Sequence, residues 1–400
     1  MAGFRPKSSP RLSPDAERLV ADALALDASG SRMEDGYWER RLSQRLHRLL
    51  KNGSQTALDA ALEHLFKHNA DASDVLAEQA ETLAESAAIE IDGVQHDVLL
   101  IAAPILAHTR YAIPSGALKP ELAQSLAVHL QAHVLATDTK VALSPYLYSI
   151  DQLPRSHSDT FALTHKLASA ALAGTVPKVD LRDLPETAPI LADPRYLLAV
   201  VVAPHEGALF RWQEDAKEHH AERSTCLEQW RNQVQPTVAV LLPGCEFELL
   251  LPDAFFLSCR ESDKSIRPLT VRAAVNYLCG TLDVPAGQLA AVVAGFGEEV
   301  VEEYRVGFTM RGEKEVIYGI VWPVYGRESG EIDAEEKGNP VEQICEELRN
   351  AGVEDIFRHA ALFDPEYCED CGTPLYADRS GEIVHAELPE DAPTQQPLFH

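Results

Sequence analysis

The chain has 400 residues, of which 46% are apolar and 24% charged, and its net charge is −27. That length exceeds one ordinary hydrophobic core, so several domains are expected. The negative field repels phosphate backbones and argues against general nucleic-acid binding. No apolar run reaches roughly 18 residues, so no membrane span is expected.

Residues 1–13, rich in Pro, Ser and basic side chains, read as a disordered arm. No apolar stretch follows the basic residues, as a signal peptide would require. Seven cysteines, an odd number, read as reduced thiols of a cytoplasmic protein. Residues 14–86 read as a helical domain. Ser13 is placed to cap a first helix that opens with Pro14, Asp15 and Glu17. A second helix spans about 35–50, with Trp38, Leu42, Leu46 and Leu49 on one face and Arg41, Arg45 and Arg48 on another. Asn52-Gly53-Ser54 breaks it, and two more helices fill 55–68 and 72–86.

Residues 87–326 read as an α/β core. Strands at 88–91 and 96–107 are joined by the turn Asp92-Gly93. A loose repeat follows: an apolar strand with Pro, an amphipathic helix, then an aliphatic segment. Its copies are 99–104, 120–135 and 141–154; then 197–204, 221–234 and 238–256; then 317–323, 341–351 and 356–365. A helix is expected near 270–279 and a strand at 289–294. Strands 301–310 and 316–324, around Arg311-Gly312-Glu313-Lys314, form a hairpin, which makes the sheet mixed. Residues 174–189 read as a loop and 327–340 as an acidic linker. The expected class is therefore α/β (mixed α+β): a helical N-terminal domain, a mixed sheet with flanking helices built from strand-helix-strand units, and a small zinc-knuckle C-terminus at 341–400.

The charge is uneven. Residues 1–52 hold ten basic against seven acidic residues, and residues 327–391 hold five against nineteen. This asymmetry leads to the expectation that Arg41, Arg45 and Arg48 meet acidic residues of 328–391, within one chain or between copies. A merely solvated acidic face is the alternative.

Cys368-Glu-Asp-Cys371-Gly is the sharpest motif. Two thiols two residues apart, followed by Gly, form half of a tetrahedral zinc site. No second Cys pair exists, so His385 and His400 are the expected remaining ligands of a structural Zn2+, with His359 as an alternative. Free thiols and a redox pair are the competing readings. Redox is disfavoured because Glu366, Glu369 and Asp370 are expected to raise the thiol pKa.

His64/His68 and His129/His133 have helical spacing but lack the metalloprotease Glu. Gly295-Phe-Gly297 lacks the third Gly of a dinucleotide loop and reads as a turn between strands. No Gly-x-Ser-x-Gly elbow is present, and Cys245 reads as a strand-end residue. Two loops, 108–116 and 146–155, gather polar and aromatic residues at strand ends. If they meet, Arg110, Tyr111, Asp151 and Arg155 line a pocket for a small anion. The structural alternative has the two arginines holding the loops together.

Leu-Ser-Pro-Asp-Ala-Glu-Arg-Leu-Val (12–20), Ala-Pro-Ile-Leu-Ala-His-Thr-Arg-Tyr-Ala-Ile-Pro-Ser-Gly (103–116), Leu-Tyr-Ser-Ile-Asp-Gln-Leu-Pro-Arg-Ser (147–156) and the terminal Cys-x-x-Cys-Gly resemble an uncharacterised bacterial family of about this length. The resemblance spans nearly the whole chain. It implies a bacterial cytoplasmic protein and carries over no activity or catalytic residue. The resulting expectation is a zinc-stabilised interaction or regulatory protein that self-associates or meets a protein partner. The alternative is an enzyme or small-anion-binding protein that uses the two loops.

Overall fold

A computed structural model describes residues 12–180, 184–187, 190–214, 221–325 and 339–389. The first helices are α1 (Pro14–Asp27), α2 (Arg32–Lys51), α3 (Gln55–His68) and α4 (Ala70–Glu85). Ser13, Ser31 and Asn69 cap α1, α2 and α4 by accepting the N–H groups of Ala16, Glu34 and Ala72. Leu19, Leu42, Leu46, Leu58, Leu65 and Leu76 fill the core between the helices. Each fully buried leucine contributes about 1.5–3 kcal/mol relative to an exposed one.

Two arginines of the polar face of α2 pair with α1. Arg41 and Arg45 turn to Asp22 of α1, at 3.0 and 2.5 Å, and Asp22 is buried. Two cations around one buried carboxylate lock α1 to α2. Both pairs lie inside the helical layer, and residues 328–338 and 390–391 of the acidic segment that these arginines were expected to meet lie outside the described residues.

The chain then enters a first sheet. Its strands are β1 (Ser86–Ile91), β2 (Val94–His108), β3 (Gly116–Ala117), β4 (Lys140–Ser149), β5 (Ala192–Pro204), β6 (Glu246–Leu249) and β7 (Asp253–Ala254). The order is β1-β2-β5-β4-β3, with β6 and β7 also paired to β2, and every pairing is antiparallel. Asp92 and Gly93 both take positive φ, as the β1–β2 turn requires.

Helices cover both faces, which is why β2 and β5 read as unbroken apolar runs. Leu126 and Leu130 of α5 (Pro120–His133) and Trp230 and Val238 of α7 (Arg223–Leu241) meet Ile101, Ile105, Leu197 and Val201. The opposite face, with Leu100, Tyr196, Leu198 and Val200, meets Leu167 and Ala168 of α6 (His157–Ala173) and Phe255 of α8 (Phe255–Leu282). Phe161 of α6 also enters the core of the first four helices.

The 28-residue α8 links this core to the next. Its Val271 and Leu278 pack on a second sheet of β8 (Leu289–Phe296), β9 (Glu303–Met310), β10 (Tyr318–Pro323) and β11 (Asp355–Phe363), together with Ile344 and Leu348 of α9 (Pro340–Asn350). The order is β10-β9-β8-β11. The β9–β10 hairpin is antiparallel and β11 runs parallel to β8, so this sheet is mixed. A small hairpin, β12 (Tyr376–Ala377) and β13 (Ile383–Val384), lies against it.

The class is the mixed α/β fold the sequence led one to expect. Its details differ in three places. Helix α6 stands where no element was assigned. Helix α7 continues through Pro236 to Leu241, so the segment 238–256 is divided among α7, β6, β7 and α8. The three strand-helix-strand copies also differ in topology. Strands β2 and β4 flank antiparallel β5, β6 pairs with β2 rather than with β5, and β10 and β11 lie at opposite edges of their sheet. Among the described residues no helix is long and apolar enough to cross a membrane.

Candidate metal centre

The knuckle begins after β11. Cys368 N–H donates to Thr373 O and Gly372 N–H to Cys368 O, at 2.8 Å each, which closes the turn. Gly372 has φ +72, a left-handed conformation that suits glycine. The hairpin then returns the chain to the same place. The Asp378 carboxylate accepts the N–H groups of Ser380 and Glu382 and the Ser380 hydroxyl, which fixes the turn between β12 and β13. These bonds hold Asp378 below the usual carboxylate range, although its burial opposes them.

The result is a cluster. The ligand atoms of Cys368, Cys371 and His385 all lie within 4.8 Å of one another. His385 Nε2 is 3.2 Å from Cys371 Sγ, and the Thr373 hydroxyl is 3.0 Å from that sulfur. The Cys371 thiol is pushed down to about 6 by hydrogen bonds from the Thr373 hydroxyl first, then from the Thr373 N–H, His385 and Cys368. The acidic neighbours were expected to raise it; the local donors prevail. A thiolate at neutral pH is the form that binds zinc.

Two cysteine sulfurs and an imidazole are zinc-type donors. His385 Nδ1 is 3.4 Å from Glu387, an arrangement that orients a metal-bound imidazole. His400 lies outside the described residues. His359 is engaged elsewhere: its Nε2 is 2.7 Å from Asp378 O, and its ring packs edge-on against Phe357 and Phe363. It braces the hairpin rather than joining the cluster.

Arg305 of β9, which sequence reasoning missed, seats the knuckle. Its Nη1 donates to Glu366 O and Leu375 O at 2.7 Å each, and its Nε donates to Glu303. The guanidinium lies between the rings of Phe296 and Tyr367, 4.3 and 5.0 Å from their centroids. The hairpin closes over glycine: a Cβ at Gly319 would lie 2.1 Å from Tyr376 Cζ.

The four loop residues do not share one pocket. Arg110 and Tyr111 line a small cavity of about 210 Å³ with His108, Glu246 and Asn276. Asp151 and Arg155 line another of about 380 Å³. The loops do touch, through structural contacts. Buried Arg195 donates to Ile113 O and Pro114 O and pairs with Asp193. Thr187 links Ser115 to Ser149 at 3.0 Å on each side. Arg155 donates to Asp151 O at 3.3 Å. The one signal for Arg195 is its i, i+2 spacing from Asp193, which puts both charges on one face of a buried strand.

The remaining motifs take structural roles. Gly297 forms the turn after β8, where a Cβ would meet Val300 O at 1.9 Å. His64/His68 and His129/His133 stack on their helices, and neither pair joins a three-ligand group among the described residues.

A mixed α/β protein carrying a two-Cys, one-His cluster is thus the class defined by fold and site. The chain belongs to the family described as "Protein of unknown function (DUF2863)", whose model matches residues 4–399. No curated protein and no solved structure matches it.

Proposed function

We propose that the chain is a zinc-stapled cytoplasmic interaction or regulatory protein that associates with a second copy of itself. The observation that carries the reading is the convergence of Cys368, Cys371 and His385 from two separate turns. His400 is the proposed fourth ligand. Four protein ligands leave no position open for water, so the metal is structural and fastens the knuckle to the second sheet. All seven cysteines are free thiols, which supports a reducing compartment. Edge strand β11 exposes Phe357 and Leu362 and supports self-association by strand pairing.

A chelator tests the staple on the full chain. Removing zinc should expose 366–389 to protease and lower the native mass to that of one chain. Unchanged proteolysis and unchanged mass after complete metal removal would refute both the staple and its link to assembly.

A further inference from the structure

The knuckle also has the makings of a reversible modification site. Of the seven cysteines, Cys371 alone is exposed; Cys226 and Cys345 are buried and the other four are partly buried. Its sulfur has a second sulfur for a neighbour, since the ligand atoms of Cys368 and Cys371 lie within 4.8 Å of each other. An accessible cysteine beside a resolving cysteine is the arrangement on which reversible thiol oxidation depends. The Thr373 hydroxyl, at 3.0 Å, and His385 Nε2, at 3.2 Å, flank the Cys371 sulfur. Both can donate a hydrogen bond to negative charge that develops there.

The surroundings select the oxidant. Residues 364–389 hold seven carboxylic acids against one arginine, Arg379, which pairs with Asp355. Arg305, beneath the turn, is buried and paired with Glu303. Glu366, Glu369 and Asp370, all exposed, stand beside the two cysteines. This field repels anionic oxidants such as glutathione disulfide and leaves a small neutral hydroperoxide free to approach.

We infer that Cys371 is a site of oxidation by a hydroperoxide, that Cys368 resolves it to a disulfide, and that this oxidation opens the knuckle. The Cys371 sulfur attacks one peroxide oxygen, the O–O bond breaks, and a sulfenic acid forms as the other oxygen leaves as water. The Cys368 sulfur then attacks the Cys371 sulfur, the S–O bond breaks, and a second water leaves. In sum, two thiols and one hydrogen peroxide give one disulfide and two waters; the peroxide takes the two electrons and each water carries off one thiol proton. The loss of metal rests on the zinc staple proposed above. A disulfide offers no thiolate, so zinc loses both of its sulfur ligands. A dithiol reductant restores them.

The test uses the full chain purified without chelator, its zinc measured first. Hydrogen peroxide, at a dose that oxidises an N-acetylcysteine control, should join Cys368 to Cys371, as read by alkylation and peptide mass spectrometry. Zinc should appear on a chromogenic chelator in step with that disulfide, and dithiothreitol should reverse the oxidation. Glutathione disulfide at the same concentration should act at least about tenfold more slowly. In Cys368→Ser, Cys371 should stop at the sulfenic acid and be trapped by dimedone; in Cys371→Ser, Cys368 should stay reduced. Reduced thiols at both positions after that dose, first oxidation at another cysteine, or equal rates with glutathione disulfide would overturn the inference and leave the staple standing. Zinc retained beside a mapped disulfide would overturn the opening of the knuckle. Protein without zinc at the outset would refute the staple instead, and the disulfide map would still decide the inference.

Discussion

Arg305 reaches across from β9 to the carbonyl oxygen of Leu375, at 2.7 Å, and so ties the second sheet to the exit of the cysteine knuckle. The same nitrogen donates to Glu366 O at the knuckle's entrance. One fully buried cation therefore fixes both ends of the loop that presents Cys368 and Cys371. Its position between Phe296 and Tyr367 keeps water away from those bonds.

Replacing Arg305 by Lys should separate the knuckle from the sheet. A single ammonium cannot reproduce the fork, and hydrogen bonds to a charged group contribute about 1.5–3 kcal/mol. Arg305→Lys should cost about 2 kcal/mol in urea denaturation and weaken zinc retention in a competition with a chelator. Unaltered retention would show that the knuckle holds its shape without this residue.

The buried Asp22 balances Arg41 and Arg45. Asp22→Asn removes the charge and leaves two cations facing each other. Both arginines are partly solvated, so the loss should be about 1–3 kcal/mol rather than the full cost of a buried broken pair. Denaturation at low and high salt reads this out. A stability equal to the wild type would mean that the helices pack without the clamp.

Glu85, at the end of α4, sets a pH dependence. Its Oε2 accepts the Phe256 N–H at 2.9 Å, near the start of α8. Burial pushes its pKa up to about 7, against the lowering effect of that bond. The folded state thus holds this proton more tightly than the unfolded chain, whose carboxyl titrates near 4.5. The stability from that proton is fully present below 4.5 and is lost as pH rises through about 7. Glu85→Gln keeps an acceptor for Phe256 and removes the titration. The variant should therefore gain on the wild type between pH 5 and pH 8, about the window of that titration. Parallel pH–stability curves for the two proteins would contradict the assignment.

Local signals carried much of the fold. Caps, Gly-bearing turns and period-two strands gave the first four helices and the hairpins at 92–93 and 311–314. The elements that stayed hidden depend on distant partners. Helix α6 carries Ser158, Thr160 and Thr164 on buried positions. Such residues read as loop, yet the Thr164 hydroxyl donates to Thr160 O and to Ala84 O, 80 positions away. With α6 unseen, the cavity it walls could not be seen either. Arg195 and Arg305 sit in strands, where an isolated charge gives no hint of burial. Their acceptors are carbonyls in loops 61 to 82 residues away. The cysteine turn was legible because Cys-x-x-Cys-Gly encodes its own geometry. The brace by His359 and the lowered Cys371 thiol were not, because both come from tertiary hydrogen bonds.

The most direct measurement is the zinc content of full-length protein purified without chelator, by elemental analysis, beside the variant Cys368→Ser/Cys371→Ser. A structural site of this kind should give about one zinc per chain in the wild type and almost none in the variant. Wild-type protein free of zinc, or a variant that retains as much as the wild type, would contradict the zinc staple.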